Sequence, residues 1–207
     1  MKTYVYVDAF NLYFGAVRGT AYKWLNLADL CRILLPRHSI EKIKYFTAII
    51  NARPNDTEQP RRQATYLRAL KTIPDLEIYY GHFLTHAVWM PLANPTQDQP
   101  SYSEVIKTEE KGSDVNLACQ LLHDAHMDRF ECAVIMSGDS DLLMPVRIVM
   151  DDIGKPVGVI NPQPRPCRVL EKQATFYKHI RKSALARSQF PRELTDARGT
   201  LKKPPTW

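Results

Sequence analysis

"CAVIMSGDSD" (Cys132–Asp141) decides how this chain folds. Its first half is a short apolar run with no alternating polar face, which suits a strand covered on both sides. Its second half is a turn with two aspartates two residues apart, and "LLMPVRIVMDDIG" (Leu142–Gly154) then takes up a helical pattern. Pro145 stands near the start of that helix, where a missing N–H is tolerated, and Gly154 closes it. A strand emptying into an acidic turn before a helix marks the edge at which open parallel sheets hold their ligands.

Similar runs recur outward from this stretch. "TYVYV" (Thr3–Val7), "IKYFTAII" (Ile43–Ile50), "LEIYY" (Leu76–Tyr80) and "PVGVI" (Pro156–Ile160) are β-branched or aromatic and equally uniform. Helical patterns separate most of them. Asn26 caps a helix carrying Leu27, Leu30, Cys31 and Leu34 on one face and stopped by Pro36. A second begins at Thr57 and exposes Arg61, Arg62, Arg68 and Lys71; a third sets Val115, Ala118, Cys119 and Leu122 on one stripe, with Asp114 in its first turn. Strands alternating with helices imply an α/β fold, a three-layer α/β/α domain around a mainly parallel central sheet. Residues 82–113 are too long for a plain connection and read as an inserted hairpin arm or binding loop, while Asn161–Pro166 reads as a stiff turn.

A chain of 207 residues with 44% hydrophobic composition can bury one sizeable core. The net charge of +6 is uneven, because residues 181–207 hold seven basic and two acidic side chains and residues 1–180 are nearly neutral. The division is therefore a domain at 1–180 and a basic C-terminal extension at 181–207. Cys31, Cys119, Cys132 and Cys167 form no C-x-x-C pair and read as reduced, mostly buried thiols. An aspartate at position 8 breaks the first apolar run before a signal-peptide core forms, and no run reaches membrane-spanning length. The expectation is a cytoplasmic protein with no membrane association.

Asp8 ends the first strand, Asp139 and Asp141 follow the fourth, and Asp114 lies on the helix leading into the fourth. Carboxylates brought together there repel by about 4 kcal/mol per close pair at an effective dielectric of about 20. A divalent cation offsets that repulsion, and an oxygen-only ligand set selects Mg²⁺ or Mn²⁺. Taken singly, Asp141 is as well read as a helix cap and Asp8 with Asn11 as turn chemistry. A haloacid-dehalogenase-like phosphatase would need a carboxylate two residues after Asp8, where Phe10 stands. No G-x-G-x-x-G follows a strand, and the pairs His123/His126 and His82/His86 lack the further ligands of a zinc site.

"YVDAFNLYFG" (Tyr6–Gly15), "KGSDVNLACQLL" (Lys111–Leu122) and "VIMSGDSDLLMPVRIVMDDIGKPVGVI" (Val134–Ile160), in this order, resemble the NYN domain, the LabA-like branch of the PIN-like ribonucleases. The resemblance covers roughly residues 1–180. It implies a Mg²⁺- or Mn²⁺-dependent endoribonuclease, with metal-binding acids at Asp8, Asp114, Asp139 and Asp141. It further places Asn11 to orient a ligand or bound water and Ser137 to donate to a carboxylate or phosphate. The implied partner is RNA. Read from the residues themselves, Arg61, Arg62, Arg68, Lys71, Arg165 and Arg168 are candidate phosphate contacts, with a solvated helix face an equally good reading of the first four, and Trp89 and Tyr102 are candidates for base stacking or, as readily, for pinning the hairpin. A homo-oligomer is compatible with this reading. The competing expectation is a non-catalytic RNA-binding module that has kept the acidic pocket.

Overall fold

The computed structural model describes residues 1–52, 54, 56–95 and 101–207. In chain order it comprises β1 (Lys2–Asp8), α1 (Ala9–Leu12) with a π-helical turn at Tyr13–Val17, α2 (Leu27–Leu34), β2 (Ser39–Ala48) and α3 (Gln59–Leu70). Then come β3 (Leu76–Pro91), β4 (Tyr102–Lys111), α4 (Ser113–His126), β5 (Cys132–Met136), α5 (Leu143–Arg147), β6 (Val157–Asn161) and α6 (Arg168–Gln173). The last elements are β7 (Phe176–His179), α7 (Lys182–Arg187), β8 (Glu193–Asp196) and β9 (Gly199–Lys202). Seven strands form one sheet in the order β4-β3-β2-β1-β5-β6-β7, parallel except for the β3/β4 pair. The α/β fold expected from sequence is the one observed.

Strand pleating sorts the core into two layers. Along β1, Val5 and Val7 face a core shared with α2, α3 and α7, while Tyr6 faces the other core, under α4, α5 and α6. β5 repeats this, with Val134 and Met136 on the first side and Ala133 and Ile135 on the second. Each central strand therefore has two dry faces, and this is why the sequence showed uniform apolar runs instead of alternation.

The chain departs from its sequence reading in five places. α3 starts at Gln59 behind Glu58, whose side chain makes no cap bond, so Thr57 is not the cap. On α4 the buried line is Leu117, Leu121 and Ala125, whereas Val115 and Cys119 face solvent. β3 runs past Tyr80 into the arm, whose ladder pairs His82 with Lys111 through Pro91 with Tyr102; the arm's middle residues 96–100 lie outside the described residues. β7 is an extra edge strand that the charged, half-exposed run Phe176–His179 does not announce. Residues 181–207, set apart in sequence as a basic extension, are docked on the domain: Ala184, Leu185, Phe190 and Leu201 sit in the first core and Arg68 grips Asp196 by two hydrogen bonds. No helix among the described residues is long and apolar enough to cross a membrane.

One buried polar network lies in the second core. The Asp124 carboxylate, fully buried, accepts hydrogen bonds from Tyr6 Oη at 2.7 Å and Arg129 Nη1 at 3.0 Å and pairs with Lys44 Nζ at 2.5 Å. Lys44 also donates to Gln120 Oε1. A buried ion pair adds little net stability while intact, but breaking one side strands the other charge in a dry medium. Asp124→Ala, which leaves Lys44 uncompensated, is therefore expected to cost about 3–5 kcal/mol in urea unfolding at neutral pH. A loss below about 1 kcal/mol would contradict the pairing.

Candidate active site

Strand order reverses across β1: the chain leaves β1 for β2 on one side and returns later to β5 on the other. In open parallel sheets this reversal parts the connecting loops and leaves a crevice at the carboxyl ends. Asp8 is the last residue of β1, and Ser137–Asp139 follow β5 directly, so both acidic turns open onto that crevice.

Asp8 is only 5% exposed and is held from two sides. Its Oδ1 accepts the Asn11 N–H at 2.9 Å, capping α1, and its Oδ2 accepts the Ser137 hydroxyl at 2.9 Å. Burial raises the pKa of this carboxyl; the two donated hydrogen bonds work against the rise, and the neighbouring Asp139 adds to it. Ser137 Oγ in turn accepts the Asp139 N–H at 3.1 Å, and Asp139 Oδ1 accepts the Asp141 N–H at 3.0 Å. The spacing of the two aspartates is thus explained by capping: Asp139 is the cap, and Asp141 is the exposed residue it caps.

Asp8, Asp114 and Asp139 line one cavity of about 230 Å³, together with Asn11 and Glu110. Convergence of those three acids, expected from sequence, is what the structure shows; Asp141 is not in the lining. Asp114 is pushed up to about 6, first by desolvation, then by the negative charges of Asp8, Asp139, Glu110 and Asp141. Among the described residues no three His, Cys, Asp or Glu side chains are grouped so as to hold a metal ion. The acids share a cavity without being grouped as a ligand set.

One participant was invisible in the sequence. Gln163, in the turn after β6, donates to Asn11 Oδ1 at 3.1 Å, the same oxygen that accepts the Gly138 N–H at 3.0 Å. Gly138 is required at its position, because a Cβ there would stand 2.3 Å from Asn161 Oδ1. Glu110, which the sequence offers either as an outer-shell acid or, more simply, as exposed charge, accepts both the N–H and the hydroxyl of Ser113 and so joins the arm to the start of α4. Only its place at the foot of the arm, just before Asp114, hinted at this.

A larger cavity of about 670 Å³ adjoins the acidic one, sharing Phe10, Phe14 and Glu110 as walls. Tyr13, Tyr45, Tyr66, Phe83 and Trp207 make it largely aromatic, and Lys23 and Arg62 supply positive charge. Trp207 packs edge-on to Tyr66 at 5.7 Å between ring centres, so the segment expected to be a basic tail provides one wall. Arg62, expected to meet phosphate, is paired with Asp56; Arg61 pairs with Glu58, Arg68 with Asp196 and Arg168 with Glu171. Lys71 and Arg165 are exposed away from these cavities, and Trp89 and Tyr102 stand exposed on the arm.

The raised Asp114 sets a pH dependence. A carboxyl whose folded pKa exceeds its unfolded one favours folding while protonated, so its contribution is complete below about 4 and is lost as pH rises through about 6. Asp114→Asn should raise stability by about 1–3 kcal/mol at pH 7.5 and by almost nothing at pH 3.5, measured by thermal unfolding at both values. Equal effects at the two pH values would contradict the crowding of these acids.

No family model matches the chain. It is 29% identical, over its whole length and 75% of the relative, to 6-hydroxy-3-succinoylpyridine 3-monooxygenase HspA of Pseudomonas putida. A crystal structure of a protein of unknown function from Vibrio parahaemolyticus superimposes with a TM-score of 0.53 at 14% identity, covering 87% of this chain and 94% of the other; this likeness shows the fold alone. The expectation of a ribonuclease is corrected by the Pseudomonas putida relative, which spans the chain and is named for oxygenation of a pyridine.

Proposed function

We propose that this protein is an enzyme, an oxidoreductase of the monooxygenase class that hydroxylates a small aromatic compound held in the 670 Å³ cavity, with the reacting carbon toward the acidic pocket. The observation that carries the reading is the likeness to a pyridine monooxygenase along the full chain. The cavity supports it, since its volume and aromatic walls suit a flat ring and it shares Phe10, Phe14 and Glu110 with the acidic pocket. The NYN resemblance is retained as a proposal about the scaffold only, supported by the acids at the carboxyl ends of a parallel sheet, and no nuclease chemistry comes with it.

At a ring carbon that bears hydrogen, the reaction inserts one atom of dioxygen and reduces the other to water, consuming two protons and two electrons; at a ring carbon that bears an acyl group, as C3 of 6-hydroxy-3-succinoylpyridine does, the acyl group leaves as an aldehyde and four protons and four electrons are consumed. The electrons come from a reductant of the reduced nicotinamide or reduced flavin class, to which no residue of this chain is assigned. The chain's own part is positioning and proton transfer. Phe10 and Phe14 form the shared wall between ring site and acids, where they would shield the reacting edge from water. Asp114, titrating near 6, is mostly ionised at neutral pH yet easily protonated, so it suits the role of base toward a ring hydroxyl or ring nitrogen. Asp8, locked by Ser137 and Asn11, would hold the charge pattern around it without moving.

The test supplies 6-hydroxy-3-succinoylpyridine, reduced nicotinamide with flavin, and ¹⁸O-labelled dioxygen. The expected result is one labelled oxygen in the organic product, with turnover falling about 100-fold or more in Asp114→Asn. Absence of label from the product, for this compound and for related hydroxypyridines, would overturn the reading.

A further inference from the structure

The cations of the large cavity differ in standing. Arg62 is committed to Asp56, whereas Lys23 forms no ion pair among the described residues. Lys23 is half-buried beside Trp24, which is fully buried against Trp207, Tyr66 and Phe190. The backbone that carries Lys23 is also fixed from the far side, because Tyr66 donates its hydroxyl to the Leu25 carbonyl at 2.9 Å. A lysine on a fixed backbone, at the edge of an aromatic cavity and without a carboxylate of its own, is a point charge kept for a ligand.

A second polar group points the same way. Tyr45 is 7% exposed and lines the cavity, and among the described residues nothing bonds its hydroxyl. Burial, with the nearby Asp8 carboxylate, raises the pKa of its phenol, so it is a hydrogen-bond donor at neutral pH. Among the described residues the lining thus presents one cation without an ion pair, Lys23, and two phenols without a hydrogen-bond partner, Tyr13 and Tyr45, while the Glu110 carboxylate, which accepts from Ser113, is directed to the start of α4.

We propose that this cavity is a binding site for a flat aromatic carboxylate, with Lys23 anchoring the carboxylate, Tyr66 and Trp207 walling the ring and Tyr45 donating to an oxygen or nitrogen of the ligand. The proposal deepens the oxygenase reading, since it identifies the class of substrate that would occupy that site. Binding itself requires neither dioxygen nor reductant, so the two ideas fail separately.

The probes are nicotinate and nicotinamide, equal in shape and differing in charge, titrated into the full chain by calorimetry and by tryptophan fluorescence. Nicotinate should bind about ten-fold more tightly than nicotinamide, and the preference should shrink as salt is raised. Lys23→Met should abolish the preference by weakening nicotinate alone, Lys23→Arg should keep it, and Tyr45→Phe should weaken both ligands. Equal affinity for the two probes on the unaltered protein, failure of nicotinate to bind, or an undiminished preference in Lys23→Met would each overturn the proposal. If Lys23→Met does not fold, the nicotinate-to-nicotinamide ratio on the unaltered protein decides. Charge-selective binding without oxygen incorporation would leave this site standing and remove the oxygenase reading; incorporation with charge-blind binding would do the reverse.

Discussion

The buried carboxyl of Asp8 is the constraint from which the rest of the site follows. A carboxyl at 5% exposure is costly unless hydrogen-bonded, and here the donors come from two separate parts of the chain: the Asn11 N–H one turn later and the Ser137 hydroxyl at the end of β5. The bond to Ser137 ties the two central strands together where the sheet's order reverses. Asn11 extends the tie by accepting from Gly138 and Gln163, so three loops at one sheet edge are fixed by a single cluster of side chains.

From that corner two cavities open with different chemistry. One is small and acidic, and its Asp114 titrates near 6 because like charges and desolvation crowd it. The other is large and aromatic, closed in part by Trp207 from the last segment of the chain. The shared walls Phe10 and Phe14 follow Asp8 directly on α1 and the π-helical turn after it, so the residue that anchors the acids also aims the aromatic wall. A flat ring in the large cavity would therefore meet ionisable groups at one edge, the arrangement used in the oxygenase proposal.

Much of this was legible in sequence, for a definite reason. A central parallel strand has two dry faces, so "CAVIM" and "TYVYV" stand out as uniform apolar runs, and acids directly after them must lie at the carboxyl edge. Elements at the margin were harder to read. β7 is short, charged and half-exposed, and the α4 stripe was misplaced because Val115 and Cys119 are apolar yet face solvent while Asp124 is polar yet buried in an ion pair. The segment 181–207 was judged by its charge, although its few apolar residues, Ala184, Leu185, Phe190 and Leu201, are what dock it. Chemistry was less legible than fold: a set of convergent aspartates announces a site without saying whether its business is phosphate or an aromatic ring. The cavity that bears on that choice is built from residues as distant as Lys23, Arg62 and Trp207, which share no sequence motif.

The corner depends most directly on the bond between Asp8 and Ser137, and a double-mutant cycle measures it. Stabilities of Asp8→Asn, Ser137→Ala and the double variant, compared with the unaltered protein by urea unfolding at pH 7.5 in the presence of chelator, give the coupling between the two side chains. A coupling of about 1–3 kcal/mol is expected for a buried bond to a carboxyl group. Strict additivity would show that Asp8 is not held by Ser137, and the corner on which both cavities depend would lose its physical basis.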